Sequence, residues 1–95
     1  MKIEIKKFGD FLISRPEGRD AALVIKNQFL PKLGSSQSIE LDFSGVIVCA
    51  PSWLDEVIGE LVKTMKIEDI HFVNTTNSSV KASLETVIEN LTLRP

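Results

Sequence analysis

The chain has 95 residues, of which 43% are apolar and 25% charged, and a formal net charge of −2. This size and composition indicate one small globular domain, residues 1–95, and exclude a disordered chain. The net negative charge argues against nucleic-acid binding, which requires Lys and Arg to neutralise phosphates, and no apolar run is long enough to span a membrane.

The first thirty residues predict two strands and a helix. In Met1–Lys6, isoleucines alternate with charged residues, a pattern typical of a half-buried strand. The Gly-Asp pair at positions 9 and 10 is a turn signal, so Phe11–Ile13 is predicted to return as the second strand of a hairpin. The segment Arg15–Arg19 contains Pro and Gly and is predicted to be a turn. A helix is then predicted from Asp20 to Leu30, where a proline ends it.

The middle of the chain, Ile39–Lys63, carries most of the functional signal. The strand-like segment Ile39–Phe43 is followed by a Ser-Gly turn and by a second apolar segment, Val46–Ala50. A proline follows, which disfavours helical geometry for the residue before it, so Ser52 is predicted to cap a helix. With Asp55 at the third helical position, this serine would form a Ser-x-x-Asp variant of the capping box.

The helix that starts at this serine has a clear division into two faces. The apolar stripe has helical spacing and consists of Trp53, Leu54, Val57, Ile58, Leu61, Val62 and Met65. The opposite face consists of Asp55, Glu56, Gly59, Glu60 and Lys63. A strand over Ile67–Val73 and a last amphipathic helix reaching Leu91 complete the pattern.

The alternation of strands and helices predicts an α/β fold. Strands linked through helices make right-handed crossovers and therefore a mainly parallel sheet. We expect a sheet of four to five strands, with an N-terminal hairpin and three helices.

Two motifs in this pattern resemble those of a known family. Asp42–Val46 has the sequence DFSGV, and Pro51–Glu56 has the sequence PSWLDE. Together they resemble the STAS domains, which are the sulphate transporter and anti-sigma factor antagonist domains. They are most similar to a STAS-like family of uncharacterised domains, whose members typically also carry an Arg-x-x-Gly element like Arg15–Gly18. The resemblance implies that the whole chain is one STAS-like domain.

The same resemblance implies a function. It predicts a non-enzymatic regulatory module in a bacterial cytoplasm, which needs no cofactor and binds a histidine-kinase-like ATPase or another signalling protein. Ser52 occupies the place of the serine that kinases phosphorylate in the antagonists, whereas Ala50 stands where they have Asp and Trp53 replaces their Gly. The predicted switch and partner surface consists of Ser44, Gly45, Ser52, Asp55, Glu56, Gly59, Glu60 and Lys63.

Several of these residues also have a structural explanation. Ser52 is either a phosphorylated switch or a plain helix cap. Asp55 and Glu56 either face a partner or complement the helix dipole. Gly59 either lets the backbone of a partner approach closely or packs tightly inside the domain, since Gly is unfavourable in an exposed helix.

Four further residues could carry chemistry. Arg15 and Arg19 are candidates for an anion contact, although arginines are usually solvated. His71 is the only histidine and is predicted on the outer face of a strand, so no metal site is indicated. Cys49 is the only cysteine, which excludes an internal disulfide, and it is predicted to be a buried small apolar residue. The first ten residues lack the long apolar core of a signal peptide, so we expect a cytoplasmic protein.

The main alternative function is a small self-assembling structural subunit that forms a homodimer. Trp53 distinguishes the two, since burial of its indole would leave the acidic helix face for a partner and exposure would favour self-association. An enzyme would instead require a pocket that joins Asp42, Ser52 and His71.

Overall fold

Five strands and three helices make up the fold of the computed structural model, which describes residues 1–34 and 37–93. The strands are β1 (Lys2–Glu4), β2 (Phe11–Leu12), β3 (Ile39–Asp42), β4 (Val48–Cys49) and β5 (Ile70–Val73). The α-helices are α1 (Arg15–Val24), α2 (Pro51–Leu61) and α3 (Ser78–Leu93). A π-helical segment, Ile25–Phe29, extends α1, and short 3-10 helices span Ile5–Phe8, Leu30–Lys32 and Ile67–Asp69.

The strands form two parallel sheets. One has the order β1-β3-β5, with Ile3 beside Leu41 and Leu41 beside Phe72. The other consists of β2 and β4, with Leu12 beside Cys49. The predicted α/β class, parallel pairing and three helices are confirmed, with the five strands divided between two sheets.

The predicted N-terminal hairpin is wrong. After β1 the chain closes a 3-10 turn, in which the N–H of Gly9 donates to the carbonyl oxygen of Lys6 at 2.9 Å, instead of a hairpin turn. Each of the first two strands consequently pairs with a strand that comes much later in the sequence. This pairing buries Leu12 completely in the core beside Cys49.

The first helix begins five residues earlier than predicted, so the interpretation of Arg15–Arg19 as a turn is wrong. Ser14 is its N-cap, and the Ser14 hydroxyl oxygen accepts a hydrogen bond of 3.2 Å from the N–H of Glu17. Pro16 lies in the first turn, where its missing N–H costs nothing. The Ser-x-x-Glu pattern of a capping box was therefore present in the sequence.

The core is formed where α1 and α2 pack on each other and on the sheets. The Trp53 side chain is 1% exposed, and its ring lies 6.2 Å from that of Phe8, with 55° between the planes. The apolar stripe of α2 is buried at Leu54, Val57, Ile58 and Leu61 as the spacing predicts. The burial of Trp53 removes the argument for a homodimer that its exposure would have provided.

Helix α3 packs along the outer edge of β4 and satisfies its main chain. The Cys49 N–H donates to the Ser79 hydroxyl oxygen at 3.0 Å, and the hydroxyls of Ser79 and Ser83 both donate to the Cys49 carbonyl oxygen. Cys49 itself is 1% exposed, and burial raises the pKa of its thiol to about 12. The prediction that it is a buried small apolar residue is confirmed.

Candidate functional site

The start of α2 is built differently from the prediction. Ala50 is the N-cap residue in extended geometry, and Pro51 is the first helical residue, because its fixed φ suits that position. Ser52 is therefore already inside the helix, and its hydroxyl donates a long 3.5 Å hydrogen bond to the carbonyl oxygen of Ile13. The predicted Ser52 cap is wrong. The predicted capping box with Asp55 is wrong for the same reason, since no acidic residue lies in the first turn.

The acidic residues of α2 pair with the arginines of α1. Arg15 Nη1 lies 3.2 Å from Asp55 Oδ2 and 3.6 Å from Glu56 Oε2. Arg19 Nε lies 3.3 Å from Glu56 Oε1. The two arginines suggested as an anion contact are thus occupied by carboxylates of the chain itself, which would compete with any external anion.

A third acidic residue extends this arrangement along the same pair of helices. Glu60 lies 3.0 Å from the ammonium of Lys63 and 3.6 Å from that of Lys26, which follows α1 in the chain. The hydrogen bond from Lys63 is the largest influence that lowers the pKa of the Glu60 carboxyl. We call the set of Arg15, Arg19, Lys26, Asp55, Glu56 and Glu60 the ion-pair seam. The acidic face of α2 is therefore paired with cations of the same domain, and its contact with a partner stays a prediction.

The two helical glycines differ in their surroundings. A Cβ atom on Gly59 would have no neighbour within 4 Å, so its predicted tight packing inside the domain is wrong. A Cβ atom on Gly18, by contrast, would lie 2.5 Å from the carbonyl oxygen of Trp53. Approach of a partner backbone at Gly59 stays a prediction.

The Ser44–Gly45 turn belongs to a second cluster, which surrounds Asp42 at the end of β3. The Asp42 side chain is 7% exposed and accepts hydrogen bonds from Asn74 Nδ2 at 2.8 Å and from the Ser44 N–H at 3.0 Å. The Lys2 ammonium lies 3.2 Å from its other oxygen. The Asn74 hydrogen bond, followed by those from Ser44 and Lys2, lowers the pKa of the Asp42 carboxyl against the opposing effect of burial.

Gly45 is required in this cluster for a conformational reason. Its φ of +82° lies in the left-handed region that other residues rarely adopt. A Cβ atom there would also lie 2.6 Å from Cδ of Lys6. Ser44 and Gly45 thus have different neighbours from Ser52, Asp55 and Glu56, and the predicted partner surface falls into two separate sets.

The residues of the enzymatic alternative do not form a triad. His71 is exposed on β5 beside Glu40. Asp42 is held by Asn74, Ser44 and Lys2, and the Ser52 hydroxyl is directed at Ile13. Across residues 1–34 and 37–93, His71 has no hydrogen bond to either of them, and no cluster of three or more His, Cys, Asp or Glu side chains could hold a metal ion.

The sequence interpretation missed an exposed apolar surface beside Ser52. Phe11 is 55% exposed, Ile13 is 58% exposed and Ile47 is 50% exposed. Phe11 precedes and Ile13 follows the buried Leu12, and the N–H of Ile47 donates to the carbonyl oxygen of Asp10, the residue before Phe11, at 2.8 Å. We call Phe11, Ile13 and Ile47 the apolar edge. The three successive apolar residues at 11–13 were a signal, because a strand with one buried face conceals only alternate residues.

The main chain of β2 adds to this surface. The carbonyl oxygens of Asp10 and Leu12 accept hydrogen bonds from the N–H groups of Val48 and Ala50, at 3.1 and 2.7 Å. Since successive residues of a strand direct their polar groups to opposite sides, those of Phe11 and Ile13 face away from β4. On this side, the Ile13 carbonyl oxygen accepts the hydrogen bond from the Ser52 hydroxyl, and Phe11 supplies the main-chain groups of β2 that face away from β4.

Comparison with known proteins identifies a family. A family model described as "STAS-like domain of unknown function (DUF4325)" matches residues 21–80, which extend from the middle of α1 to the start of α3. No curated protein matches the chain, and no solved structure does. In the part of the chain that the structure describes, no helix is long and apolar enough to cross a membrane.

Proposed function

The chain belongs to the family of STAS-like domains described as DUF4325, and from this membership we propose that it is a regulatory module that binds another protein and catalyses no reaction itself. The surface that binds is the apolar edge, together with Ser52 beside it. By resemblance to the anti-sigma factor antagonists, the partner is a histidine-kinase-like ATPase in a bacterial cytoplasm. The alternative partner is a second copy of this chain.

The exposure of the apolar edge carries this proposal. Large exposed apolar side chains that are contiguous mark interaction surfaces in soluble proteins. Open strand edges recruit further strands, and natural proteins usually block them with charges or covering elements. Here Phe11 of β2 and Ile13, which follows this strand, are both more than half exposed. An extended segment of a partner could add main-chain hydrogen bonds there and bury these side chains.

The position of Ser52 supports control by phosphorylation. Its hydroxyl contacts the Ile13 carbonyl oxygen, so a phosphate on it would place nearly two negative charges at the border of the apolar edge. Such a charge opposes burial of the edge by a partner, because charged groups are costly to desolvate. The first turn of α2 contains no acidic residue and its dipole favours an anion there.

The residues around Leu12 also suit the homodimer alternative. If two copies of β2 paired in antiparallel fashion about Leu12, Phe11 of each copy would lie opposite Ile13 of the other. Pairs of aromatic and β-branched residues are favourable across strands. The same surface would therefore bind either partner. The oligomeric state of the purified protein distinguishes a second copy of the chain from a separate protein.

Two measurements test the proposal. The first compares the partners captured from the source cells by wild type, Ile13→Ser, Ser52→Asp and Ser52→Ala, with Leu23→Ser as the control, since Leu23 is 46% exposed on α1 and lies outside the edge. We expect a specific partner that is retained by Ser52→Ala and Leu23→Ser and is lost with Ile13→Ser and Ser52→Asp. Capture that is equal in all variants would contradict the proposed surface.

The second measurement is the molar mass of the purified protein by light scattering over a range of concentrations. A monomer at all concentrations supports a separate protein as the partner. A dimer that is lost in Ile13→Ser and kept in Leu23→Ser supports the self-assembling alternative.

A further inference from the structure

We propose that the cavity at the ends of β1, β3 and β5 binds a phosphate group through the ammonium groups of Lys2 and Lys6. The inference is independent of the protein-binding proposal. It rests on a different surface, an open cavity of about 520 Å³ that is lined entirely by polar and charged residues. Its strand residues are Lys2 and Glu4 of β1 and Asp42 of β3, with Asn74 following β5.

The cavity lies at the carboxyl end of the three-stranded parallel sheet. Glu4 and Asp42 are the last residues of β1 and β3, which run parallel, and Asn74 directly follows β5. Side chains that follow parallel strands at this end therefore meet in one place, which brings Glu4, Asp42 and Asn74 together around the cavity. Asn74 has a φ of +57°, in the left-handed region that asparagine adopts more often than other residues with a side chain.

The charge of the lining favours an anion. Three ammonium groups, those of Lys2, Lys6 and Lys7, outnumber the two carboxylates of Glu4 and Asp42, although the whole chain has a net charge of −2. Lys7 is paired with Glu4 at 3.3 Å, but both side chains are more than half exposed and such a pair exchanges readily. Among the described residues, Lys6 has no carboxylate partner.

Two of the lysines lie against other residues of the cavity. The Lys2 ammonium lies 3.2 Å from Asp42, a carboxylate that accepts hydrogen bonds from Asn74 and Ser44. The stem of Lys6 lies directly over Gly45, in the space that a Cβ atom would fill. The exposed Ser44 hydroxyl lines the same cavity and can donate a hydrogen bond to an oxyanion.

Phosphate fits the lysine ammonium groups of this cavity better than a carboxylate group does. Lysines act on phosphate as point charges and need no planar bidentate geometry. A phosphate monoester also carries close to two charges at neutral pH. The group can belong to a small molecule or to a phosphorylated protein segment, since both present the same oxygens to the cavity.

The test is a titration of the full chain with inorganic phosphate, followed by amide chemical shifts, against sodium chloride at equal ionic strength. We expect saturable shifts for residues 2–7, 42–45 and 74, and none with chloride. Lys6→Gln should weaken binding by about five-fold or more, and Glu4→Gln should strengthen it about two-fold, because each changes one charge beside the anion. Lys66→Gln, which removes the same charge before the amino end of β5, should leave the affinity unchanged.

Absence of saturable shifts would overturn the proposal. Equal weakening by Lys6→Gln and Lys66→Gln would also overturn it, because the affinity would then depend only on the overall charge of the protein. Phosphoserine and adenosine monophosphate then separate the sources, with serine and adenosine as controls. Binding of both phosphorylated compounds and of neither control supports recognition of the phosphate alone. Binding of adenosine itself would contradict it.

Discussion

Gly18 of α1 lies directly against the backbone of Trp53 in α2. A Cβ atom on Gly18 would be 2.5 Å from the Trp53 carbonyl oxygen and 2.8 Å from its Cα atom. The two helix backbones can approach this closely because Gly18 has no side chain. The indole of Trp53 is buried in the core beside them. The ion-pair seam runs along the same helix pair, so one glycine sets the separation at which its charges meet.

Substitution of the two helical glycines should have opposite effects on stability. Gly18→Ala forces backbone atoms apart and should reduce the free energy of unfolding by about 1–3 kcal/mol. Gly59→Ala meets open space and should increase it by about 0.5–1 kcal/mol, because alanine favours the helix. Urea unfolding followed by circular dichroism measures both. A Gly18→Ala protein as stable as wild type would show that the helices are not in contact there.

The two serines near the helix starts should also differ. Ser14→Ala removes the cap of α1 and should cost about 1 kcal/mol of folding free energy. Ser52→Ala removes only a long hydrogen bond from a side chain inside α2, so its cost should stay within about 0.5 kcal/mol. The same unfolding experiment compares the two variants. A larger loss for Ser52→Ala than for Ser14→Ala would restore Ser52 as the cap.

Acid should destabilise the fold partly through Asp42. The folded state holds the pKa of this carboxyl below its ordinary value of 3.8, so the stabilisation is present above that value and is lost as the pH falls through the folded pKa. The free energy of unfolding should therefore fall from about pH 5 to about pH 2, and less steeply in Asp42→Asn. Asp20→Asn, at an exposed position of α1, is the control. Equal slopes in wild type and Asp42→Asn would contradict the assignment.

The ion-pair seam should make a modest contribution that salt weakens. Glu56 contacts both Arg15 and Arg19, and Glu56→Gln should cost about 0.5–1 kcal/mol at low ionic strength. The difference from wild type should shrink at about 1 M salt, where the Debye length is short. Glu85→Gln, on the exposed face of α3, provides the matched change of charge. A salt-independent difference would indicate that Glu56 acts through packing instead.

The local features of this fold, such as the buried face of α2 and the start of α1, were present as patterns in the sequence. The burial of Trp53, Leu54, Val57, Ile58 and Leu61 follows from their helical spacing, and the DFSGV and PSWLDE motifs indicated the family that the comparison found. The early start of α1 was also present locally, in the pattern of Ser14, Pro16 and Glu17. It was missed because Pro and Gly were interpreted together as a turn, whereas Pro suits a first helical turn and Gly18 serves packing.

The remaining features depend on contacts between distant residues. The predicted hairpin failed because strand pairing is decided by partners some forty residues away, such as Cys49 for Leu12. Arg15 and Glu56 each looked like a separate surface feature, and only the crossing of the helices brings them together. The exposure of Phe11 and Ile13 also depends on which face of β2 packs on the core, and three apolar residues in succession do not distinguish the two faces.

The serine hydroxyls along β4 limit how this protein can assemble. Ser79 and Ser83 occupy the main-chain groups of Cys49 on the side away from β2, so this small sheet can grow in one direction only. A sheet with one open edge can pair with one neighbouring strand. A sheet with two open edges can pair on both sides and extend into fibres. The proposed binding at β2 would therefore add one partner to this sheet, because the hydrogen bonds from α3 to Cys49 block growth from β4.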